Sequence, residues 1–303
     1  MSGEGVPRRH HFVSEFLLRS FAEASGRKSR LCVEQLDAAH SYVAAPSRVA
    51  VRVDAHAVTP YTHEDPAHFE RKMADEVEAP AAAAIRAVIE SDAEEVPGEL
   101  RPILSRFLAL HVFRHPVISA TVQRDVEREQ SVNLTAPDAH EGALKDIMVE
   151  AMSSPTGKDP GPAVRVLEQL AWAAVRFDSE ALVIGDRLAC TSGLAPQGAW
   201  ASVSRAASYG VVGLDRCERV TVPLSPRVGL ILTRGAVAPQ LSAREFNRTT
   251  VRNGRLFVAY DPSWPEREPE EHRWVAQEVT AQRVAITNQF RQVHGEPSSS
   301  IPL

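Results

Sequence analysis

The stretch that most constrains the fold is His10-His11-Phe12-Val13-Ser14-Glu15-Phe16-Leu17-Leu18-Arg19-Ser20-Phe21, in which two adjacent histidines precede an apolar run that contains one arginine. Serine is a residue type that caps helices, so we predict a helix from Ser14 to about Ala24, ended by Gly26. The apolar residues of this run must pack on the rest of the protein. Docking of the helix therefore carries the two histidines towards the core.

After this segment, the sequence predicts a β-rich part, then a helical part and then a second β-rich part. Strands are predicted in residues 30–36, 41–43, 48–53, 181–184, 219–223, 228–233 and 256–260, where residues alternate or are β-branched. Helices are predicted in residues 69–88, 117–132, 139–152, 162–177, 242–251 and 270–286, and a further helix starts at Pro97 or Glu99 and ends near His115. Pro80 is expected to kink the first of these helices or to start a new one.

This order of elements predicts an α+β fold, with a mixed or antiparallel β layer packed against a central helical region. We expect one domain over residues 10–290, with flexible tails at residues 1–9 and 295–303. The length of 303 residues is enough for a substantial core, and a hydrophobic content of 44% is ordinary for a globular protein.

Composition excludes several classes of protein. The net charge of −5 gives no strong basic field for nucleic acid or an anionic membrane surface. The three cysteines form no CxxC pair, which argues against a zinc ribbon or a thioredoxin-like site. There is no apolar run of membrane-spanning length and no apolar secretory signal, so we expect a cytoplasmic protein that does not enter a membrane.

Three charged side chains stand out by their positions. Arg114 falls on the same helical stripe as Leu104 and Phe107, and a buried guanidinium needs a counter-charge. Alternatively, its aliphatic stem could let the charge reach water. We predict that Arg114 is buried and paired with Glu78, at the edge of an apolar stripe, or with Asp186, at the end of an apolar strand. A turn-forming role for Asp186 is the alternative.

The histidines allow several interpretations. His10 and His11 could bind a metal, act as a base near neutral pH, or only anchor the chain, although neighbours in sequence point in different directions. We predict that at least one of them lies within reach of Glu78 or Asp186. His111 and His115 have the i,i+4 spacing of metal ligands, but we interpret them as core or capping residues because no glutamate accompanies them.

The opening stretch resembles the first signature of a bacterial family called domain of unknown function 4238. The other landmarks of that family follow in order, and the resemblance covers most of residues 10–260. They are Glu78 in an alanine-rich helix, Arg114-His115-Pro116, Ile184-Gly185-Asp186-Arg187-Leu188, Pro223-Leu224-Ser225-Pro226 and Asn247. Gly185 and Leu188 stand where serine and proline are usual, and Ser14 stands where proline is common. The resemblance implies no particular reaction.

These residues lead to a functional hypothesis and two rivals. We expect His10, His11, Arg19, Glu78, Arg114 and Asp186 to converge on one polar pocket that hydrolyses a phosphate ester, in a nucleic acid or a nucleotide. The arginines would hold the anionic substrate, a carboxylate, alone or with a divalent metal, would activate water, and a histidine would relay the proton.

In the first rival, a non-catalytic binding or regulatory protein, the same residues form a structural ion network. The second rival is an enzyme that acts on a small anionic molecule. An open pocket favours an enzyme, whereas a closed and fully paired network favours the structural role. The sequence does not indicate the oligomeric state.

Overall fold

The structure is a computed structural model. It describes residues 9–23, 29–53, 68–116, 160–178, 182–193, 214, 217–235 and 240–294. The predicted helices at residues 117–132 and 139–152 and the predicted tail at residues 295–303 lie outside these residues. So does the predicted tail at residues 1–9, except Arg9, which belongs to a strand.

The described residues form strands and helices in an α+β arrangement. The strands are β1 (Arg9–His11), β2 (Leu31–Gln35), β3 (Ser41–Ala44), β4 (Val51–Val53), β5 (Ala171–Arg176), β6 (Ile184–Gly185), β7 (Cys190–Ser192), β8 (Arg219–Ser225), β9 (Val228–Thr233) and β10 (Phe257–Tyr260). The helices are α1 (Glu15–Ser20), α2 (His68–Met73), α3 (Ala79–Glu90), α4 (Arg101–Arg114), α5 (Pro162–Glu168), α6 (Ala243–Asn253), α7 (Trp264–Arg267) and α8 (Pro269–His294). A π-helical segment, Ala74–Glu78, joins α2 to α3, and a 3₁₀ turn occupies Pro46–Arg48.

The strands pair in an antiparallel manner, as one of the two predicted arrangements required. One four-stranded sheet has the order β3-β2-β10-β6, the other has the order β5-β9-β8-β7, and β1 pairs with β4. One face of the first sheet, at Val258 and Tyr260, packs against Trp264, Val275 and Val279 of α7 and α8. Its other face and the second sheet share the main core with α1, α3 and α4.

The predicted helix over residues 162–177 is wrong in its second half. α5 ends at Glu168, and residues 171–176 form β5, which pairs with β9 along its whole length. The strand alternates in burial, with Trp172 and Ala174 facing the core. Arg176 at its end donates to the carbonyls of Val88 and Ala93 at the end of α3, where a cation is favourable. Pairing across the sheet therefore outweighs the helical spacing of the sequence.

Several helices and strands also begin or end at residues other than those predicted. α1 stops at Ser20 rather than near Ala24, and α8 begins at Pro269 and continues beyond Ile286 to His294. The predicted strand over residues 48–53 retains only β4, because Ala50 adopts a left-handed conformation with φ of 56°. Ala50 still extends the pairing of β1 with β4, since its carbonyl accepts from the Phe12 N–H at 2.9 Å.

Ser242, where the sequence predicts this helix to start, caps α6 through a complete capping box with Glu245. Replacing Ser242 with alanine is expected to lower the free energy of unfolding by about 1 kcal/mol, because the first turn loses a side-chain acceptor. Denaturant unfolding of the two proteins measures this difference. Thr249→Ala on the same helix is the control, and an equal loss in both variants would contradict the capping role.

Candidate functional site

The last turn of α4 gathers the polar side chains that the sequence singled out. α4 presents His111 and Arg114 there, and His115 follows as its C-terminal residue; all three are at most 4% exposed. The chain leaving β1 crosses this turn, where Phe12 places its ring edge-on to His115 at 6.2 Å between centroids. The end of α4 therefore lies between the N-terminal segment and the two acids predicted as partners.

Arg114 pairs with Glu78, which confirms the prediction that it is buried and ion-paired. Its Nη1 lies 2.9 Å from Glu78 Oε1, and the Arg114 side chain is 1% exposed while that of Glu78 is 21% exposed. Glu78 is the last residue of the π-helical segment, directly before α3, which has Pro80 in its first turn. Because proline lacks the N–H of a regular helical turn, the wider turn absorbs the interruption and sets the direction of Glu78.

Ser14 joins this pair, which the sequence did not indicate. It precedes α1 as predicted, but its side chain makes no capping bond to that helix. Its hydroxyl instead donates to Glu78 Oε1 and lies 3.0 Å from His111 Nε2. Since the single hydroxyl proton goes to the carboxylate, His111 Nε2 is the donor to Ser14. Ser14 therefore links α1, the π segment and α4.

His111 is uncharged in this environment. Burial, together with the neighbouring positive charge of Arg114, lowers its pKa from 6.5 to about 3, against an opposing contribution from the Phe12 backbone. A group of such low basicity is a poor proton acceptor near neutral pH. His111 consequently suits a structural hydrogen bond better than the proton relay of the hydrolase hypothesis.

Stability should fall on acidification because of His111. The unfolded chain takes up a proton at this residue near pH 6.5 but the folded chain only near pH 3, so the contribution is complete above pH 6.5 and is lost as the pH falls towards 3. Unfolding free energies measured from pH 7 to 4 should therefore decline less steeply in His111→Gln than in the parent. His40→Gln, at an exposed position, is the control and should retain the parent slope.

Asp186 forms a second cluster with a different histidine. Its Oδ2 lies 2.6 Å from His115 Nε2, and both side chains are at most 1% exposed. The same carboxylate accepts from the backbone N–H groups of Arg255, Leu256 and Phe257, which lead into β10. Asp186 therefore acts as more than a turn former, because it fixes the approach of β10 to the end of α4.

The packing around Asp186 accounts for Gly185 and Leu188, the two nearby residues that depart from the family signature. A side chain at Gly185 would place its Cβ 3.3 Å from the Thr250 methyl group of α6, so little room remains beside the strand. Leu188 is 2% exposed and lies in the main core. Both positions serve packing.

The predicted convergence of six residues on one pocket needs correction. Arg19 lies outside the site, because its side chain is 56% exposed and pairs with Glu15 one turn earlier. Glu78 and Arg114 lie together, whereas Asp186 belongs to the His115 cluster. The position of His10 in β1 is described, but its side chain lies outside the described part.

His11 lies near an acid, but not one of those predicted. Its Nε2 is 4.0 Å from Glu15 Oε2. The histidines that the structure places in the two clusters are His111 and His115, so an approach of His10 or His11 to Glu78 or Asp186 stays a prediction. The i,i+4 spacing of His111 and His115 was the sequence signal that could have identified these two histidines. Together with Arg114 between them, it places three polar side chains at one end of a helix.

The remaining sequence landmarks support the same framework. Ser20 donates to the Leu224 carbonyl at 2.9 Å, which ties α1 to the Pro223–Pro226 turn, and Asn247 accepts from the Val183 N–H at 2.9 Å. Cys190 and Cys217 are buried and Cys32 is half-buried, all as free thiols. Burial raises the pKa of Cys190 to about 12, so this thiol is protonated at neutral pH.

Residues 9–288 match a protein family described as "Protein of unknown function (DUF4238)". The chain belongs to this family. The DUF4238 match extends beyond the landmarks on which the sequence resemblance was based and includes both polar clusters. No curated protein and no solved structure matches the chain.

Two further findings concern the described part of this DUF4238 protein. In the described part of the chain, no three histidine, cysteine, aspartate or glutamate side chains come together as a metal site would require. Among the same residues, no helix is both long enough and apolar enough to cross a membrane.

Proposed function

We propose that the protein is a non-catalytic binding or regulatory protein, and that its two polar clusters form a structural ion network. The observation that carries this proposal is closure: the side chains of Arg114, His115 and Asp186 are at most 1% exposed and bond to other parts of the protein. A substrate would have to displace Glu78 to contact Arg114. The network instead connects the N-terminal segment, the π segment, α4 and the loop before β10.

The low basicity of His111 supports the same proposal. Its pKa of about 3 leaves it neutral and weakly basic near pH 7, and its neighbours Ser14 and Phe107 enclose it. Burial of this kind disfavours the charged imidazolium that a proton relay must form. A hydrogen-bonded, uncharged histidine stabilises the contact between α4 and α1 without taking part in a reaction.

Hydrolysis assays combined with unfolding measurements test this function. The purified protein should give no turnover of phosphodiesters or phosphomonoesters, with or without added Mg²⁺ or Mn²⁺, while Glu78→Gln should be less stable than the parent. Turnover by the parent that disappears in folded Glu78→Gln, but persists in Glu76→Gln of the same π segment, would overturn the proposal.

One observation favours a phosphate-ester hydrolase as the second candidate. His115, which pairs with Asp186, lines a cavity to which Arg187 also contributes. In that case Asp186 would orient His115 and Arg187 would hold the phosphoryl group. His115 would take a proton from the attacking water and pass it to the leaving-group oxygen, which departs as an alcohol when the P–O bond breaks. His115→Gln should then abolish turnover in a protein that remains folded.

A further inference from the structure

A groove lies along the first half of α4, at the other end of this helix from the two polar clusters. Its lining comes from the π-helical segment, α3, α4 and the chain from Pro160 through α5. Its volume is about 340 Å³, and it opens to solvent. Sites for small molecules have volumes of about 300–1,000 Å³, so the groove has room for a small organic ligand. π-helical segments are rare and are frequently found at functional sites.

Most of the lining of the groove is apolar. These apolar residues are Val77, Pro80, Pro102, Ile103 and Pro160. Each proline ring fixes a backbone φ angle, and the carbonyl of Pro160 is also held by Arg165 Nη1 at 2.7 Å. A preformed surface of this kind loses little conformational entropy when a ligand binds, so it suits an apolar group of a few carbon atoms.

Arg106 contributes a positive charge to the groove. It lies one turn after Pro102 and Ile103 on the same face of α4, and it is exposed. The other two arginines of this helix each pair with a glutamate, whereas Arg106 makes no ion pair with the described residues. Its guanidinium is therefore available to the carboxylate of a ligand.

Glu168 contributes a negative charge to the same groove. It is the last residue of α5 and is half-buried. Because the C-terminal end of a helix favours a cation, a carboxylate at this position is unfavourable by itself. Within the described part of the chain, neither Arg106 nor another cation forms an ion pair with it. An ammonium group of a ligand would neutralise the carboxylate and would also suit the negative end of the helix.

Glu76 lines both the groove and a neighbouring hollow. The other lining residues of that hollow are Arg71, Lys72 and Asp75. Together with Glu76 they carry two positive and two negative charges, which cancel. Arg106 and Glu168 therefore remain as the two opposite charges that a ligand in the groove would meet.

We propose that this groove binds a small zwitterion with an apolar body, of the class of an α-amino acid with an aliphatic side chain. Arg106 donates to the carboxylate of the ligand, the ammonium group of the ligand donates to Glu168, and the aliphatic side chain packs on Ile103 and the prolines. Since Arg106 and Glu168 do not pair with each other, the two charges of the ligand complete two ion pairs. This site is separate from the closed network of Glu78 and Arg114 and goes beyond the function proposed above.

Calorimetric titration of the full chain with L-leucine tests the site. Binding should be saturable, and Arg106→Gln and Glu168→Gln should each weaken it at least about tenfold, because each variant loses a charge-assisted contact. Arg273→Gln, at an exposed arginine of α8 that does not line the groove, is the matched control and should retain the parent affinity.

Two analogues test the two charges of the ligand separately. Isocaproate lacks the ammonium group of L-leucine, and isoamylamine lacks its carboxylate. Each should bind the parent protein at least about tenfold more weakly than L-leucine, because only one of the two ion pairs can form.

Absence of saturable binding up to about 20 mM L-leucine would contradict the proposal, since a ligand of millimolar affinity would then be mostly bound. Parent affinity in folded Arg106→Gln or Glu168→Gln, or an analogue that binds as tightly as L-leucine, would also contradict it. The analogues are titrated into the parent protein, so that comparison does not depend on the folding of a variant. None of these results bears on the closed network of Glu78 and Arg114, whose tests are turnover and stability.

Discussion

Replacing Asp186 with asparagine is expected to lower the free energy of unfolding by about 3–5 kcal/mol, because several buried donors lose a carboxylate acceptor together. The carboxylate accepts from His115 and from three consecutive backbone N–H groups. Asparagine keeps the shape but turns one acceptor into a donor that faces other donors, so several buried groups lose their bonds at once. Urea unfolding at pH 7 measures the loss.

Asp178→Asn is the matched control for this prediction, because Asp178 is exposed and its substitution should change stability by less than about 0.5 kcal/mol. If Asp186→Asn were as stable as the control, Asp186 would not hold the structure together, and the structural part of the proposed function would fail.

Replacing Glu78 with glutamine is the second change with a large expected effect. It removes the carboxylate that the structure places on Arg114 and leaves a guanidinium that is 1% exposed, at an expected cost of about 3–5 kcal/mol. Arg114→Met should cost less, because Glu78 is 21% exposed and can turn towards water. The double variant should recover part of the stability lost in Glu78→Gln.

A double-mutant cycle measured by denaturant unfolding tests the expected order of stability among these three variants. Glu76→Gln, two residues earlier in the π segment and exposed, is the control. A Glu78→Gln variant more stable than Arg114→Met, or a double variant less stable than either single one, would contradict the pairing energetics.

The sequence predicted the features for which the local residue pattern and burial in the core favour the same structure. The helix that begins after Ser242, the strands β8 and β9 and the buried Arg114 each follow from a helical or alternating pattern that burial reinforces. β5 was missed because its residues also fit a helical spacing, and pairing with β9, more than fifty residues later, decides between the two. Such pairings depend on chain topology, which periodicity does not record.

The site was predicted less completely, for a related reason. Arg114 and Glu78 carry charges whose burial demands a partner, so each could be inferred from its own helix. Ser14 and His115 are common residue types with acceptable local roles, and only the packing of four separate segments brings them into the clusters. Arg19 was misplaced because an arginine within an apolar run resembles a buried one, whereas Glu15 one turn away holds it at the surface.

The use of one helix end by both clusters has a consequence for local opening of the native state. Detachment of the last turn of α4 would release the N-terminal segment and the loop before β10 in the same event, since Ser14 and Asp186 both bond to that turn. The amide protons of Phe12 and Leu256, far apart along the chain, should therefore exchange with solvent at similar rates and with the same dependence on denaturant. The two regions would then open as one cooperative unit, whose opening depends on detachment of the last turn of α4.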